Sequence, residues 1–583
     1  MLKLFRFLRP YRWGVALVMA LVLLQSLAEL YLPTLMADIV NKGVVTGDNA
    51  YIWRIGGFML LVTLGGTLVS IGASYYSSRI SAGFGRDVRG KVFSHVENFS
   101  LQEFDKIGTA SLITRTTNDI NQVQQVLVMM MRLMVMAPMM CIGGLIMALS
   151  KDAKLTLVLV VAVPVLTLTI LLVARKGLPL FRAIQKKLDK LNLVLREGLT
   201  GIRVIRSFNR LEHEQGRFVE ANRDLTETSV KVNQIMALLM PLMMLIMNFS
   251  SIAIIWFGGI RISEEHMAVG DLMAFLQYAM QIMFSLLMLS MMFVMVPRAS
   301  ASAVRINDVL LQDAVIKDPA KPASKSGRHG DGKTISGGTV EFDNVTFSYP
   351  GAEQPAVEGI SFRAMPGEVT AIIGGTGSGK STLINLIPRF YDIDSGSIRI
   401  DGVDVREYTQ EQLRAKIGLV PQKAVLFTGT IADNIRYGKE EATDEEIRRA
   451  ADIAQATDFI EGMQDGFGSM IAQGGTNVSG GQKQRLSIAR ALVRKPDIYL
   501  FDDSFSALDY KTDARLRAAL RRETTASAVI IVAQRVSTIM DADRIIVLDE
   551  GRIAGIGNHR ELMATCEVYR EIVSSQLSEE EIA

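Results

Sequence analysis

Gly374-Gly375-Thr376-Gly377-Ser378-Gly379-Lys380-Ser381-Thr382 is the stretch on which the reading of this chain turns. It satisfies G-x-x-x-x-G-K-[ST], follows the apolar run Val369 to Ile373 and precedes the helical run Thr382 to Ile387. Strand, glycine-rich turn and helix start in that order form a phosphate cradle. The glycines let backbone N–H groups close on the phosphates, Lys380 meets the β and γ phosphates, and the Ser381 hydroxyl is placed to ligate Mg²⁺.

Further along, Ile498-Tyr499-Leu500-Phe501 reads as a fully buried parallel strand, which places Asp502 at a carboxyl end, where α/β sheets put ligand groups. Asp502 is the expected Mg²⁺ partner. Asn477 to Gln482 (NVSGGQ), followed by the helical composition of Lys483 to Leu492, is a second glycine-bearing helix start suited to an anion. Short β-branched runs at Val340 to Phe347, Val369 to Ile373 and Val529 to Val532 alternate with helical segments, so residues 340–583 read as an α/β P-loop domain.

Toward the N-terminus the patterning changes. The chain has 583 residues, 49% of them apolar, which is too long for one core. The apolar load is concentrated before about residue 300, as six candidate spans near 15–39, 54–76, 126–149, 154–174, 235–260 and 272–296. The long polar connections after the second and fourth spans carry many Lys and Arg, while the others are short and poor in them. Both termini and the soluble domain are therefore expected in the cytoplasm. Lys3, Arg6, Arg9 and Arg12 precede a run that continues to Pro33 without a cleavage pattern, which reads as a basic interfacial helix and a retained span. The long loops read as helical stalks with tips at Phe99 to Ile107 and Ser207 to Gln215. Residues 1–310 thus form the membrane domain and 311–339 a Pro/Gly/Ser/Lys-rich mobile linker. A net charge of +3 argues for neither nucleic acid nor an acidic partner, and Cys141 and Cys566 fall in different environments and are not expected to pair.

These residues resemble a half-transporter of the ATP-binding cassette exporter family, over essentially the whole chain. VSGGQ at Val478, Ser479, Gly480, Gly481 and Gln482 is close to the LSGGQ signature. VPQ ends on Gln422, matching the loop that senses Mg²⁺ and the membrane domain, and SALD ends on Asp509, matching the dimer-contact loop. Tyr349 falls where the family stacks an aromatic ring on adenine. The stretches Phe104 to Ile120 and Gly201 to Glu214 resemble those flanking the coupling helices. The resemblance implies ATP and Mg²⁺ as cofactors, the Mg²⁺ held by Ser381, Gln422 and, through water, Asp502. It also implies a head-to-tail pair in which each ATP lies between one chain's phosphate loop and the other's signature.

Two positions depart from the family. Asp503 stands where a catalytic glutamate is usual, and one methylene withdraws the carboxylate by about 1.5 Å. Gln534, in VAQR, stands where a histidine usually meets the γ-phosphate; an amide donates a hydrogen bond there but carries no charge. Gln473 is a lesser departure. Two catalytic losses beside an intact phosphate loop and signature point to the degenerate-site subunit of a heterodimer in a bacterial cytoplasmic membrane. The alternatives are a slow homodimeric exporter and an ATP-gated channel or regulatory subunit.

Methionine is frequent in the third span (Met129, Met130, Met131, Met134, Met136, Met139, Met140) and in the fifth. Thioethers adapt to many apolar shapes, which suits a cavity for hydrophobic compounds, although they also fill packing gaps. Glu29 and Arg132 are ionisable groups inside spans and therefore candidates for a substrate cavity. The expected cargo is a drug, lipid or peptide of hydrophobic or amphipathic character.

Overall fold

The computed structural model describes residues 2–322 and 337–577. The central part of the expected linker, 323–336, lies outside the described residues. The chain divides into two compact units: residues 1–97 with 109–313, and residues 98–108 with 314–583.

The first unit is helical. Its elements are α1 (Arg12–Asp38), α2 (Asn49–Val96), α4 (Thr109–Thr114), α5 (Ile120–Lys151), α6 (Thr156–Thr200), α7 (Ile202–Ser207), α8 (Leu211–Ser263) and α9 (Val269–Leu311), while α3 (Leu101–Ile107) falls in the second unit. The described residues hold six helices long and apolar enough to cross a membrane, matching the six spans read from sequence. Each runs well past its apolar stretch, because the polar stalks continue the helices; α2 has 48 residues and α8 has 53. The basic N-terminal segment is a 3-10 helix, Leu2–Tyr11, tied to α2 by the Tyr11 hydroxyl donating to Asp87 at 2.8 Å. Leu60, Leu61, Leu64 and Leu68 on α2 are each 60% or more exposed, as expected of a face meant for lipid.

Packing inside the unit depends on close approach. A Cβ on Gly143 of α5 would sit 2.4 Å from Leu30 Cδ1, so the leucine tip packs directly on the glycine and a larger residue there would make it turn aside. Leu30, Met140, Ile254, Tyr278 and Ile282 form the buried cluster at this level, and the Tyr278 hydroxyl donates to the Leu30 carbonyl at 3.1 Å. Toward the other end, the chain is π-helical over Arg115–Asp119, where the buried Asp119 accepts from Ser302 at 2.9 Å and from Arg305 Nε at 2.8 Å. The second stalk tip appears as the break between α7 and α8, where Phe208 is 74% exposed.

In the second unit a six-stranded sheet runs β12-β11-β3-β10-β9-β6 and a four-stranded antiparallel sheet β2-β1-β4-β5. The strands are β1 (Val340–Phe347), β2 (Val357–Ala364), β3 (Val369–Gly374), β4 (Ser395–Ile400), β5 (Val403–Asp404), β6 (Ile417–Val420), β9 (Ile498–Asp502), β10 (Ala528–Val532), β11 (Arg544–Asp549) and β12 (Arg552–Gly557), with β7 (Gly429–Thr430) and β8 (Met470–Ile471) forming a separate pair. Strands β6, β9, β10, β3 and β11 pair in parallel. All five residues of β9 and of β10 are buried, which is why they read as unbroken apolar runs. The helices are α10 (Lys380–Leu386), α11 (Gln410–Ala415), α12 (Ile431–Arg436), α13 (Asp444–Ile453), α14 (Thr457–Glu461), α15 (Gly480–Val493), α16 (Tyr510–Glu523), α17 (His559–Thr565) and α18 (Glu567–Ser574).

Candidate ATP site and membrane cavity

The phosphate loop joins β3 to α10, as the sequence requires. Gly379 has φ +94°, and a Cβ there would lie 2.7 Å from the Ala356 carbonyl oxygen, so a larger residue would distort the loop. Lys380 Nζ donates to the carbonyls of Gly374 at 2.9 Å and Gly375 at 2.6 Å, curling over the loop where phosphate oxygens belong. Burial holds its pKa below the usual lysine value, partly offset by the charges of Asp503 and Asp502.

The Ser381 hydroxyl donates to Asp502 Oδ1 at 3.0 Å, and Asp502 ends β9 with only 8% exposure. Burial raises the Asp502 pKa, the Ser381 hydrogen bond opposes that, and the Asp503 charge adds to it. A cation here would relieve both carboxylates. The Ser381 hydroxyl and the Asp502 carboxylate are hard oxygen donors that suit Mg²⁺, which would take its remaining ligands from phosphate and water, while the Gln422 amide reaches Asp503 instead.

Asp503 follows at φ +46°, a left-handed backbone that Asp tolerates better than most residues. Its N–H donates to the Val532 carbonyl at 2.9 Å, its carbonyl accepts from the Ser506 hydroxyl at 3.0 Å, and its carboxylate accepts from Gln422 Nε2 at 3.3 Å. Asp503 and Gln534 line one small cleft with Ser506 and Arg535, so the two departures from the family sit together.

Tyr349 donates to or accepts from the Thr382 hydroxyl at 3.2 Å and packs edge-on against Tyr391, ring centres 5.4 Å apart. The signature is placed differently, at the start of α15, where Ser479 caps the helix: its hydroxyl accepts from Gln482 N–H at 3.3 Å and the Gln482 side chain accepts from Ser479 N–H at 2.8 Å. Asp509 caps α16 by accepting from Thr512 N–H at 2.9 Å, a bond that lowers its pKa. Among the described residues, no hydrogen bond links Ser479–Gln482 to the phosphate loop.

Residues 15–286 match the family described as the ABC transporter transmembrane region, and residues 357–506 match the family described as ABC transporter. The chain is 46% identical over 572 residues to an uncharacterized ABC transporter ATP-binding protein of Mycobacterium tuberculosis, covering 98% of this chain and 97% of that one. It belongs to the ABC transporter family. An ATP-dependent lipid A-core flippase of Chromobacterium violaceum is 33% identical, with 97% of this chain and 96% of that one covered. A bacterial Atm1-family ABC exporter solved with ATP bound superposes with a TM-score of 0.79 at 27% identity, over 98% of this chain and 99% of that one. The chain is thus a multi-pass ABC exporter, using ATP and Mg²⁺ and coupling ATP hydrolysis to transport.

In the exporter's first unit, Glu29 and Arg132 line one cavity of about 540 Å³ together with Gln125, Met129, Met136, Met140 and Gln281. Gln25 Nε2 donates to Glu29 Oε1 at 2.9 Å, Gln281 Nε2 donates to the Glu29 carbonyl at 3.3 Å, and Gln281 Oε1 is buried without a partner among the described residues. The methionines divide: Met129, Met136 and Met140 line the cavity, Met131 is buried, and Met134 is 56% exposed.

Sequence reasoning missed Tyr391. Its hydroxyl donates to Asp105 of α3 at 3.0 Å while its ring meets Tyr349, so one tyrosine touches both Tyr349 and the first stalk tip. Burial raises its pKa, keeping it a donor. Nothing in the local pattern of RFYDIDSG singles out that tyrosine.

Proposed function

We propose that this chain is the ATP-retaining half of an asymmetric exporter pair, which carries hydrophobic or amphipathic compounds (drug, lipid or peptide) out across a bacterial cytoplasmic membrane. Both termini and the nucleotide domain lie on the cytoplasmic side. One observation carries the reading. The ATP-holding groups are in working array, Lys380 over the loop and Ser381 on Asp502, while the position that should activate water holds a short carboxylate engaged by Gln422 at 3.3 Å, in one cleft with Gln534. A positioned general base is worth roughly 10² to 10⁴ in rate, and attack geometry tolerates little displacement. Hydrolysis at this chain's own site is therefore slow while binding persists. Ser479, Gly480 and Gly481 serve the partner's competent site, whose phosphate loop and glutamate lie on the other chain.

The cavity supports the cargo. Thioethers offer adaptable apolar contact, Arg132 has no ion pair among the described residues, and the free Gln281 Oε1 asks for a donor, which together suit an amphiphile. The flippase relative is named for a lipid, which agrees with this class.

A slow homodimer is the second reading, and the left-handed φ of +46° at Asp503 favours it, since that backbone accepts Asp more easily than Glu. The experiment that separates the two co-expresses the chain with a half-transporter encoded beside it that carries glutamate at the position of Asp503, and measures ATP-dependent uptake of a fluorescent amphiphile into inside-out vesicles. Uptake by the pair and not by the lone chain supports the asymmetric exporter. Equal uptake by the lone chain makes it a homodimer.

A further inference from the structure

The loop after β10 carries Gln534, and its backbone is fastened residue by residue. Val532 O accepts from Asp503 N–H at 2.9 Å, and Ala533 N–H donates to Ile372 O at 3.1 Å. Beyond that point the sheet no longer holds the chain. Gln576, just past the end of α18, takes over: its Nε2 donates to the Gln534 carbonyl at 2.8 Å and its Oε1 accepts from Val536 N–H at 2.8 Å. The orientation of this amide is fixed by its partners, since one is a carbonyl and the other an N–H. One planar amide thus bridges the backbone on both sides of Arg535. Its own base is firm, because Tyr569 and Val573 of α18 are fully buried and the Tyr569 hydroxyl pairs with His559 Nδ1 at 2.8 Å.

We infer that Gln576 is a positioning residue for phosphate recognition, a C-terminal clamp that holds the Gln534 side chain toward the cleft it shares with Asp503. The inference rests on the reading of Gln534 as the group that faces the γ-phosphate. Gln534 carries no charge, so its only contribution is a directed hydrogen bond, and a directed bond depends on how well its backbone is held. The clamp touches no nucleotide atom itself. It acts through the backbone of residues 534–536.

The test titrates full-length protein in lipid nanodiscs with ADP and with the slowly hydrolysed analogue ATPγS, and reads the ratio of the two affinities. Gln576→Ala is expected to lower the preference for ATPγS by about threefold to tenfold, the range of one ordinary hydrogen bond, with ADP affinity unchanged. Gln576→Glu keeps the acceptor for Val536 N–H but sets a carboxylate oxygen against the Gln534 carbonyl, so it should lower the preference at least as far as Ala does. Equal losses for both nucleotides would mean a merely structural role and overturn the inference. So would an unchanged ratio in Gln576→Ala when Gln534→Ala abolishes the preference. If Gln534→Ala itself leaves the ratio intact, the γ-phosphate reading of Gln534 is what fails, and the clamp falls with it.

Discussion

Gln422 Nε2 donates to Asp503 Oδ2 at 3.3 Å, and the sheet dictates that meeting. Strands β6 and β9 are parallel neighbours with Val420 opposite Phe501, so the two chains leave the sheet side by side and Gln422 and Asp503 both lie two residues beyond that register pair. The Gln422 amide is thus engaged by the carboxylate that directly follows Asp502.

Lys380→Ala should separate binding from turnover. The ammonium makes charge-assisted contacts worth roughly 1.5–3 kcal/mol each, so ATP affinity at this chain's site should drop by about tenfold to a hundredfold. In the proposed asymmetric pair, turnover should persist at a reduced rate, because there the competent phosphate loop would be the partner's. Equilibrium binding of a fluorescent ATP analogue, alongside phosphate release, measures both.

Ser479→Arg should stop turnover by the pair while leaving ATP bound to this chain. Because Ser479 also caps α15, losing it costs about 1 kcal/mol of helix stability. Ser479→Asn restores a cap without the small hydroxyl and isolates that effect. Unchanged phosphate release in the Arg variant would contradict a signature acting on the other chain's ATP.

Tyr391→Phe removes the bond to Asp105 and keeps the ring against Tyr349. Losing one part-buried hydrogen bond costs about 1 kcal/mol, so ATP affinity should barely move. Stimulation of ATPase by transported compounds should weaken, since α3 loses a hold on the nucleotide domain. The readout is the ratio of stimulated to basal activity.

Arg132→Ala should change which amphiphiles are carried, lowering transport of anionic ones more than neutral ones, with basal ATPase intact. Equal losses across a charged and neutral series would place Arg132 outside the cargo path.

Local chemistry made much of this molecule legible. The placement of Lys380 and Ser381 at a helix start after a strand and a glycine turn, and of Asp502 at the end of a buried parallel strand, was readable because those elements follow one another in sequence. The six spans were readable from apolar length, and their extension into helical stalks from the basic, periodic loops. Pairings across long sequence distances were not. Tyr391 meets Asp105, and Gln576 meets the backbone of Gln534, only because the sheet and α18 bring remote segments together. Gln281 is an ordinary polar residue in an apolar run, and its unpartnered oxygen becomes informative only once Glu29 is seen beside it.

The central claim is that this chain holds ATP well and cleaves it poorly because of Asp503, and the steady-state ATPase of the full-length chain purified alone, with and without Asp503→Glu, tests it most directly. The account predicts near-background phosphate release by the wild-type chain at saturating ATP and a rise of about tenfold or more in the variant, within the range a positioned base supplies. Rapid turnover by the wild-type chain alone, unchanged by Asp503→Glu, would contradict it.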